Sequence, residues 1–335
     1  MDSKVAKHGI TNSEILPQHT DVVRPDNEEG VDHPTSKRDP TIVDEKAADA
    51  VQQLSGLSDD TGLQDSESDG LETEQDRLDL QHHLFLLTLR GKLHLAPIEN
   101  MQLHNVMDIA TGTGIWATDF ASAFPSANVL GTDLSPIQPE YVPPNCHFEI
   151  DDAEDEWSFS YKFDYIHGRM LASCFKSHVA VFQSAFNALR PNGWLEIQDI
   201  AIPSRCIDDS MFGTAFERWI DLIKEGCAAL GRDFGRVPQY KQYLQEIGFV
   251  DVVEKQLSWP IGTWAKTQRM KMLGAWCKEN VLSGLQGWTM AVLTRGLGMM
   301  PAEVELLLME VRNDINSNAL HAYAPIPLQR GGVYG

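Results

Sequence analysis

The stretch DIATGTGIWA, residues 108–117, combines a carboxylate with two closely spaced glycines. Asp108 ends an apolar run, Gly112 and Gly114 follow in a turn, and a helical pattern begins directly afterwards. Glycines in such a turn remove side chains, so the backbone can approach a ligand closely while the N–H groups of the helix N-terminus point at it. The stretch therefore predicts a loop that binds a nucleotide-like molecule.

Two ligand classes use a loop of this kind. The dinucleotide form G-x-G-x-x-G/A is satisfied by Gly112, Gly114 and Ala117, with Asp133 as the ribose acceptor. S-adenosylmethionine is favoured instead, because the carboxylate of Asp108 would repel a pyrophosphate and can organise the loop around a methionine amino group. A dehydrogenase is the alternative, and binding of a reduced nicotinamide would support it.

Acidic side chains also follow the next two apolar runs. Asp133 closes NVLGTD and can accept hydrogen bonds from both ribose hydroxyls at a strand end, where open α/β sheets bind ligands. Asp151, Asp152 and Ala153 follow CHFEI and can hold the adenine amino group. The alternatives are a turn residue or N-cap for Asp133 and a solvated loop for the DDAEDEW stretch.

Methyl transfer mainly requires alignment of donor and acceptor and exclusion of water, and a general base helps only if the acceptor must lose a proton. The candidates for a catalytic role are His167, Glu196 and Gln198, which lie at predicted strand ends. Arg169 lies at the end of the same predicted strand as His167 and is assigned to the cofactor site. The alternative is that it pairs with a nearby acid. A structural hydrogen-bonding role is the alternative for all three catalytic candidates. On a two-residue period, Glu196 and Gln198 share one face of their strand.

The elements that must position these residues alternate along the chain from Asn105. Short apolar runs separated by helical segments are typical of a parallel sheet with crossover helices. The fold class predicted is α/β, a doubly wound, mostly parallel sheet. Helical insertions are predicted at about 205–235 and 264–315, and a helical stripe over 75–104 is predicted to lie across the cofactor mouth. The methyltransferase domain then spans 105–335.

Residues 1–74 differ from the rest in composition. Residues 1–80 hold 20 of the 48 acidic side chains but only 7 of the 27 basic ones, and the net charge of the chain is −21. The segment lacks the apolar content needed to offset the entropy of ordering, so a disordered acidic tail is predicted, either a solvating segment or an arm for a regulatory protein partner. The acidic balance excludes direct nucleic-acid binding.

The five cysteines are scattered without a Cys-x-x-Cys pair, which indicates reduced thiols in an intracellular protein and no metal site. No apolar run is long enough to span a bilayer, so a membrane association is not expected. The compartment, cytosol or nucleus, stays open.

Three stretches together resemble the LaeA-like methyltransferases, a fungal family of class I S-adenosylmethionine-dependent enzymes and regulators. They are the helical stretch EQDRLDLQHHLFLLTLRGKLHLAPI, the segment from DIATGTGIWA through DLSPIQP to VPPNCHFEIDDAEDEW, and LRPNGWLEIQD. The resemblance implies a Rossmann-like seven-stranded sheet and a small-molecule acceptor in secondary metabolism, or a nuclear regulator acting through protein partners, or a non-catalytic scaffold that binds the cofactor. The cofactor contacts that it implies are Asp108, Gly112, Gly114, Asp133, Asp152 and Ala153.

The chain departs from the family pattern at two places. Ala110 stands where the usual D-x-G-x-G-x-G loop has its first glycine, and a single methyl group there could weaken cofactor binding while leaving the loop intact. The final strand contains Pro325 and Pro327, which cannot donate to a ladder, so a short strand or one at the sheet edge is expected.

Overall fold

The computed structural model describes residues 66–232 and 234–335, all within the unit Leu63–Gly335. The first helix begins at Ser66, ahead of the boundary predicted at residue 74. The predicted disorder of residues 1–65 lies outside the described residues.

Eight strands form one sheet. Their bounds are β1 Asn105–Ile109, β2 Asn128–Asp133, β3 Cys146–Ile150, β4 Phe163–Arg169, β5 Leu189–Gln198, β6 Arg205–Cys206, β7 Val250–Pro260 and β8 Ala322–Gly332. The order across the sheet is β3-β2-β1-β4-β5-β8-β6, and β7 pairs with β8. Strands β1 to β5 are parallel, whereas β8 is antiparallel to β5, β6 and β7. This is the α/β class predicted from the sequence, with a two-residue eighth strand added.

Seven α-helices connect and cover the sheet in the described part of the chain. Their bounds are α1 Ser66–Thr88, α2 Ile115–Ala123, α3 His178–Ala188, α4 Ala215–Ala229, α5 Tyr240–Ile247, α6 Gln268–Ala291 and α7 Pro301–Asn316. The N-cap residues of helices α3, α4 and α6 are Ser177, Thr214 and Thr267. Their side chains accept hydrogen bonds from backbone N–H groups of the first turn. Helices α4, α6 and α7, called the cap below, lie in the segments where the helical insertions are predicted.

The expectation that the last strand is short or lies at the sheet edge is wrong. Strand β8 has neighbours on both sides along much of its length. Its prolines are tolerated because their carbonyl oxygens still accept: Ala201 N donates to Pro325 O at 2.9 Å and Asp199 N donates to Pro327 O at 3.1 Å. The N–H and C=O of one residue point to the same side of an antiparallel strand, so the missing donors face residues 199–201 and spare the ladder with β7.

The helical insertions and α1 share one apolar core above the sheet. Its buried members include Phe85 of α1, Trp219 of α4, Leu273 of α6 and Leu308 of α7. Helix α1 is therefore packed into the cap on one side, and its other side contacts the loop that follows β1. This arrangement sets the geometry of the site at the carboxyl ends of the strands.

Candidate functional site

The loop after β1 takes left-handed backbone conformations at three positions. The φ angles are 51° at Ala110, 60° at Gly112 and 76° at Gly114. The departure from the glycine pattern at Ala110 thus falls where an L-residue is strained by about 1–2 kcal/mol. The loop is held to β2, since Thr111 N donates to Thr132 O at 2.9 Å, and Gly114 provides α2 with no side-chain cap. The first N–H groups of α2 therefore remain for a ligand.

Gly114 has a second reason to lack a side chain. A Cβ atom at Gly114 would collide with the ring of Phe148, and one at Gly131 would lie 2.6 Å from the same ring. The prediction from sequence was that the glycines clear space for a ligand. At Gly114 the cleared space is filled by Phe148 of β3, so this glycine serves the packing of the loop on the sheet.

Asp108 lies beneath the loop and is nearly fully buried. Its carboxylate accepts from Thr111 Oγ1 at 2.5 Å and faces His167 Nδ1 at 2.7 Å. Because an ionised carboxylate only accepts, His167 donates from Nδ1. Asp108 thus organises the loop through Thr111 and the end of β4 through His167.

His167 is fully buried and stacks on Trp116 of α2, with the ring centroids 3.7 Å apart and the planes 6° from parallel. Burial lowers the pKa of His167 from its ordinary value, although the hydrogen bond to Asp108 opposes this shift. The imidazole is therefore neutral at physiological pH. The catalytic assignment of His167 stays a prediction. Its burial and its bond to Asp108 favour a structural role, while its Nε2 has no hydrogen-bond partner among the described residues.

Glu196 and Gln198 point to one face of β5, as the two-residue period predicted. The carboxylate of Glu196 accepts from Leu95 N at 2.8 Å and from Ala96 N at 2.5 Å, and also from Gln198 Nε2 at 2.8 Å. Both side chains are fully buried under the segment that follows α1. Their catalytic role also stays a prediction, and the geometry favours the positioning role that was its alternative.

The acidic strand ends meet at one edge, because β1, β2 and β3 are adjacent and parallel. The carboxylate of Asp133 accepts from Gly112 N at 2.8 Å and from Ser135 N at 3.0 Å, which ties β2 to the glycine loop. Asp152 accepts from Glu154 N at 2.9 Å in the turn after β3, and Ala153 is buried there. Each acid serves as a turn residue, and the cofactor contacts assigned to both acids stay predictions.

Arg169 lies at the end of β4, between β5 and α1. Its Nε donates to Gln198 Oε1 at 2.8 Å, its Nη1 lies 2.9 Å from His82 Nδ1, and its Cζ sits 4.6 Å from the ring centroid of Phe85. Burial lowers the pKa of Arg169 to about 10, and the charge of Asp108 is the largest opposing influence. The guanidinium is thus still a cation at neutral pH.

Helix α1 contacts the glycine loop, and its place over the cofactor mouth stays a prediction. Asp79 accepts from Thr113 Oγ1 at 2.8 Å, and Gln75 Nε2 donates to Ile137 O at 3.1 Å. His82 Nε2 lies 3.1 Å from Asp119 of α2. The sequence analysis did not identify Asp79 or Asp119 as site residues. The three-residue spacing of Asp79 and His82, which places these two side chains on one helix face, is a signal that could have identified Asp79.

The fold and this loop define a methyltransferase of the S-adenosylmethionine-dependent class. A family model described as a methyltransferase domain matches residues 43–254, and the chain belongs to that family. The protein is therefore a methyltransferase whose cofactor is S-adenosylmethionine.

Relatives include both named enzymes and named regulators. The chain is 35% identical over 251 residues to methyltransferase pytC of Aspergillus terreus, covering 74% of this chain and 77% of that protein. It is 34% identical over 263 residues to the secondary metabolism regulator LAE1 of Cochliobolus heterostrophus, and the match covers 75% of this chain and 84% of that protein. A solved phosphoethanolamine N-methyltransferase of Haemonchus contortus, in complex with S-adenosylmethionine, is 16% identical with a TM-score of 0.47, and the match covers 76% of this chain and 53% of that one.

No helix within the described residues is long and apolar enough to cross a membrane.

Proposed function

We propose that the chain transfers a methyl group from S-adenosylmethionine to a small apolar acceptor of secondary metabolism, held between the glycine loop and the helical cap. The observation that carries the proposal is a set of half-buried apolar side chains, three of which closely follow the carboxyl ends of β4 and β5. These side chains pack against the cap core; they are Met170, Ile200, Ile202, Met211 and Phe234. Half-buried apolar walls beside a cofactor are typical of sites for small molecules.

The cofactor would lie along the edge formed by β1, β2 and β3. In this proposal the backbone of the loop at Gly112 and the uncapped first N–H groups of α2 face the methionine part, Asp133 accepts from the ribose hydroxyls, and Asp152 with Ala153 contacts the adenine. Leu134, which is 65% exposed directly after Asp133, provides an apolar surface for the adenine ring. Each oxygen of Asp133 accepts one backbone N–H and retains lone pairs for a ribose hydroxyl.

The sulfonium supplies an activated methyl group, so the residues of this chain mainly align the acceptor and exclude water. The cap helices and α1 provide the exclusion, since their shared core closes the space above the strand ends. The buried positions of His167 and Glu196 support a mechanism in which these two side chains maintain the loop and β5 rather than exchange protons with the acceptor.

Calorimetric titration tests the cofactor part. We expect micromolar binding of S-adenosylmethionine and its demethylated product to the intact protein and loss of binding in Asp133→Ala. Asp155→Ala is the matched control, because Asp155 is exposed in the neighbouring loop after β3. Failure of the intact protein to bind either compound would contradict the proposal.

The acceptor part is tested with cofactor labelled on the methyl group and an extract of the source organism that lacks this protein. Separate low-molecular-mass and protein fractions are incubated with the enzyme. We expect label in an extractable small molecule, and none with Asp133→Ala. Label confined to the protein fraction would instead support the second candidate, a regulator that methylates or engages proteins, which the likeness to LAE1 favours.

A further inference from the structure

The buried guanidinium of Arg169 has one nitrogen without a partner. Nε and Nη1 are held by Gln198 and His82, but Nη2 is buried and makes no hydrogen bond within the described residues. A buried N–H group of this kind costs about 1–3 kcal/mol if nothing accepts from it. The two N–H groups on Nη2 are therefore unsatisfied donors that face the protein interior beside the glycine loop.

The charge of Arg169 is also unpaired within the described residues, since no carboxylate there lies within ion-pair distance of its nitrogens. The acids whose charges act on Arg169 have other partners. Asp108 accepts from Thr111 and faces His167, Glu196 accepts from Leu95 and Ala96, and Asp119 faces His82. A buried cation without a counter-ion is strongly unfavourable unless an anion binds to it. A planar guanidinium matches a carboxylate best.

His82 decides the orientation of this guanidinium. Arginine has no acceptor, so Nδ1 of His82 must accept the hydrogen bond from Arg169 Nη1. The proton of a neutral imidazole is then on Nε2, which donates to Asp119 Oδ2 at 3.1 Å. His82 thus links α2 to β4 in a single tautomer. Burial, with Asp119 opposing and Arg169 adding to the effect, lowers the pKa of His82, and the acid on its own helix is Asp79.

Helix α1 connects His82, and through it Arg169, to the glycine loop. Asp79 bonds Thr113 in the loop, and His82, one turn later on the same face, bonds Arg169. Asp119 belongs to α2, whose N-terminus begins at that loop. The loop, α1 and the end of β4 therefore form one hydrogen-bonded unit around the methionine end of the proposed cofactor site.

We propose that Arg169 binds the carboxylate of the methionine part of S-adenosylmethionine through Nη2, and that His82 is the positioning residue that aims this nitrogen. The inference rests on the proposed cofactor site and adds the group that recognises the carboxylate. Because the carboxylate is the group that accepts this charge-assisted hydrogen bond, the contact favours intact S-adenosylmethionine over an analogue that lacks the carboxylate.

The test compares binding of S-adenosylmethionine with binding of its decarboxylated analogue, which keeps the sulfonium and the adenosine. We expect the intact protein to bind S-adenosylmethionine about tenfold or more tightly, as one charged hydrogen bond supplies roughly that ratio. Arg169→Gln should lower the ratio to near one while affinity for the decarboxylated analogue is retained. Equal binding of both compounds to the intact protein would overturn the inference and leave the proposed function standing.

Two variants of His82 separate positioning from packing. His82→Asn keeps an acceptor near Nδ1 and should retain most of the selectivity, whereas His82→Gln keeps a donor near Nε2 and should lose most of it. Thermal melting establishes that each variant is folded. Unchanged selectivity in both would overturn the role of His82, and an equal loss in both would show only a packing role. An intact protein that binds neither compound would refute the cofactor proposal itself.

Discussion

The imidazole of His167 lies flat against the indole of Trp116, with the ring centroids 3.7 Å apart and the planes inclined by 6°. The contact joins the end of β4 to the first turn of α2. It holds His167 in the orientation in which Nδ1 donates to Asp108, so the loop, the strand and the helix are fixed relative to one another.

His167→Asn should retain methyl transfer. The asparagine amide keeps an N–H donor near the position of Nδ1 for Asp108, so a structural role predicts kcat within about tenfold of the intact enzyme. His167→Leu, which removes the donor, should lower thermal stability. Loss of kcat by roughly 100-fold or more in His167→Asn, with unchanged cofactor binding, would instead assign His167 as a general base.

Glu196→Gln should destabilise the fold. Leu95 N and Ala96 N donate to Oε2 and Gln198 Nε2 donates to Oε1, so the NH2 group of an amide would face a donor at one of these two positions. We expect the free energy of unfolding to fall by about 1–3 kcal/mol, measured by urea denaturation. Glu99→Gln in the same segment is the control, because Glu99 is exposed, and an equal effect of both changes would contradict this account.

Gly114→Ala should be destabilising mainly through Phe148. The new methyl group would collide with the Phe148 ring, in addition to the cost of a positive φ of 76°. In a Phe148→Ala background, Gly114→Ala should lower the free energy of unfolding by less than it does in the intact protein. A double-mutant cycle measures this difference, which we expect to be about 0.5–3 kcal/mol. Additive effects would mean that the glycine serves the backbone conformation or a ligand and not the ring.

Asp199 makes stability depend on pH. Burial raises the pKa of its carboxyl from 3.8 to about 7, with Ile200 N and the Tyr240 hydroxyl opposing the shift. Between these pH values the folded protein keeps a proton that the unfolded chain releases, so the free energy of unfolding should fall as pH rises through this range. Asp199→Asn, which stays neutral, should remove this decline by roughly a few kcal/mol.

Thermal melting between about pH 4 and pH 8 measures this comparison, because the range spans the pKa of the carboxyl in the unfolded and in the folded chain. Asp155→Asn, at an exposed position, is the control. Parallel pH profiles for Asp199→Asn and the intact protein would show that Asp199 is charged in the folded state.

The order of strands and helices was predictable from local patterns. The apolar runs at NVMDI, NVLGTD and FDYIHG are β1, β2 and β4, because strands buried on both faces are apolar throughout. The common face of Glu196 and Gln198 followed from the two-residue period of a strand. The place of β8 was not predictable, since the effect of Pro325 depends on which neighbour its missing N–H faces.

The sequence by itself determined the glycine loop, the acids after three apolar runs and the helical pattern ahead of β1, because periodicity and glycine sterics act over a few neighbouring residues. Only the tertiary structure decided which of these groups already have partners. His82 meets Arg169 across 87 positions, and Glu196 meets Leu95 across 101. Hydrogen bonds and burial are set by how distant elements pack, so the same residue type is a free ligand group in one fold and a satisfied structural group in another.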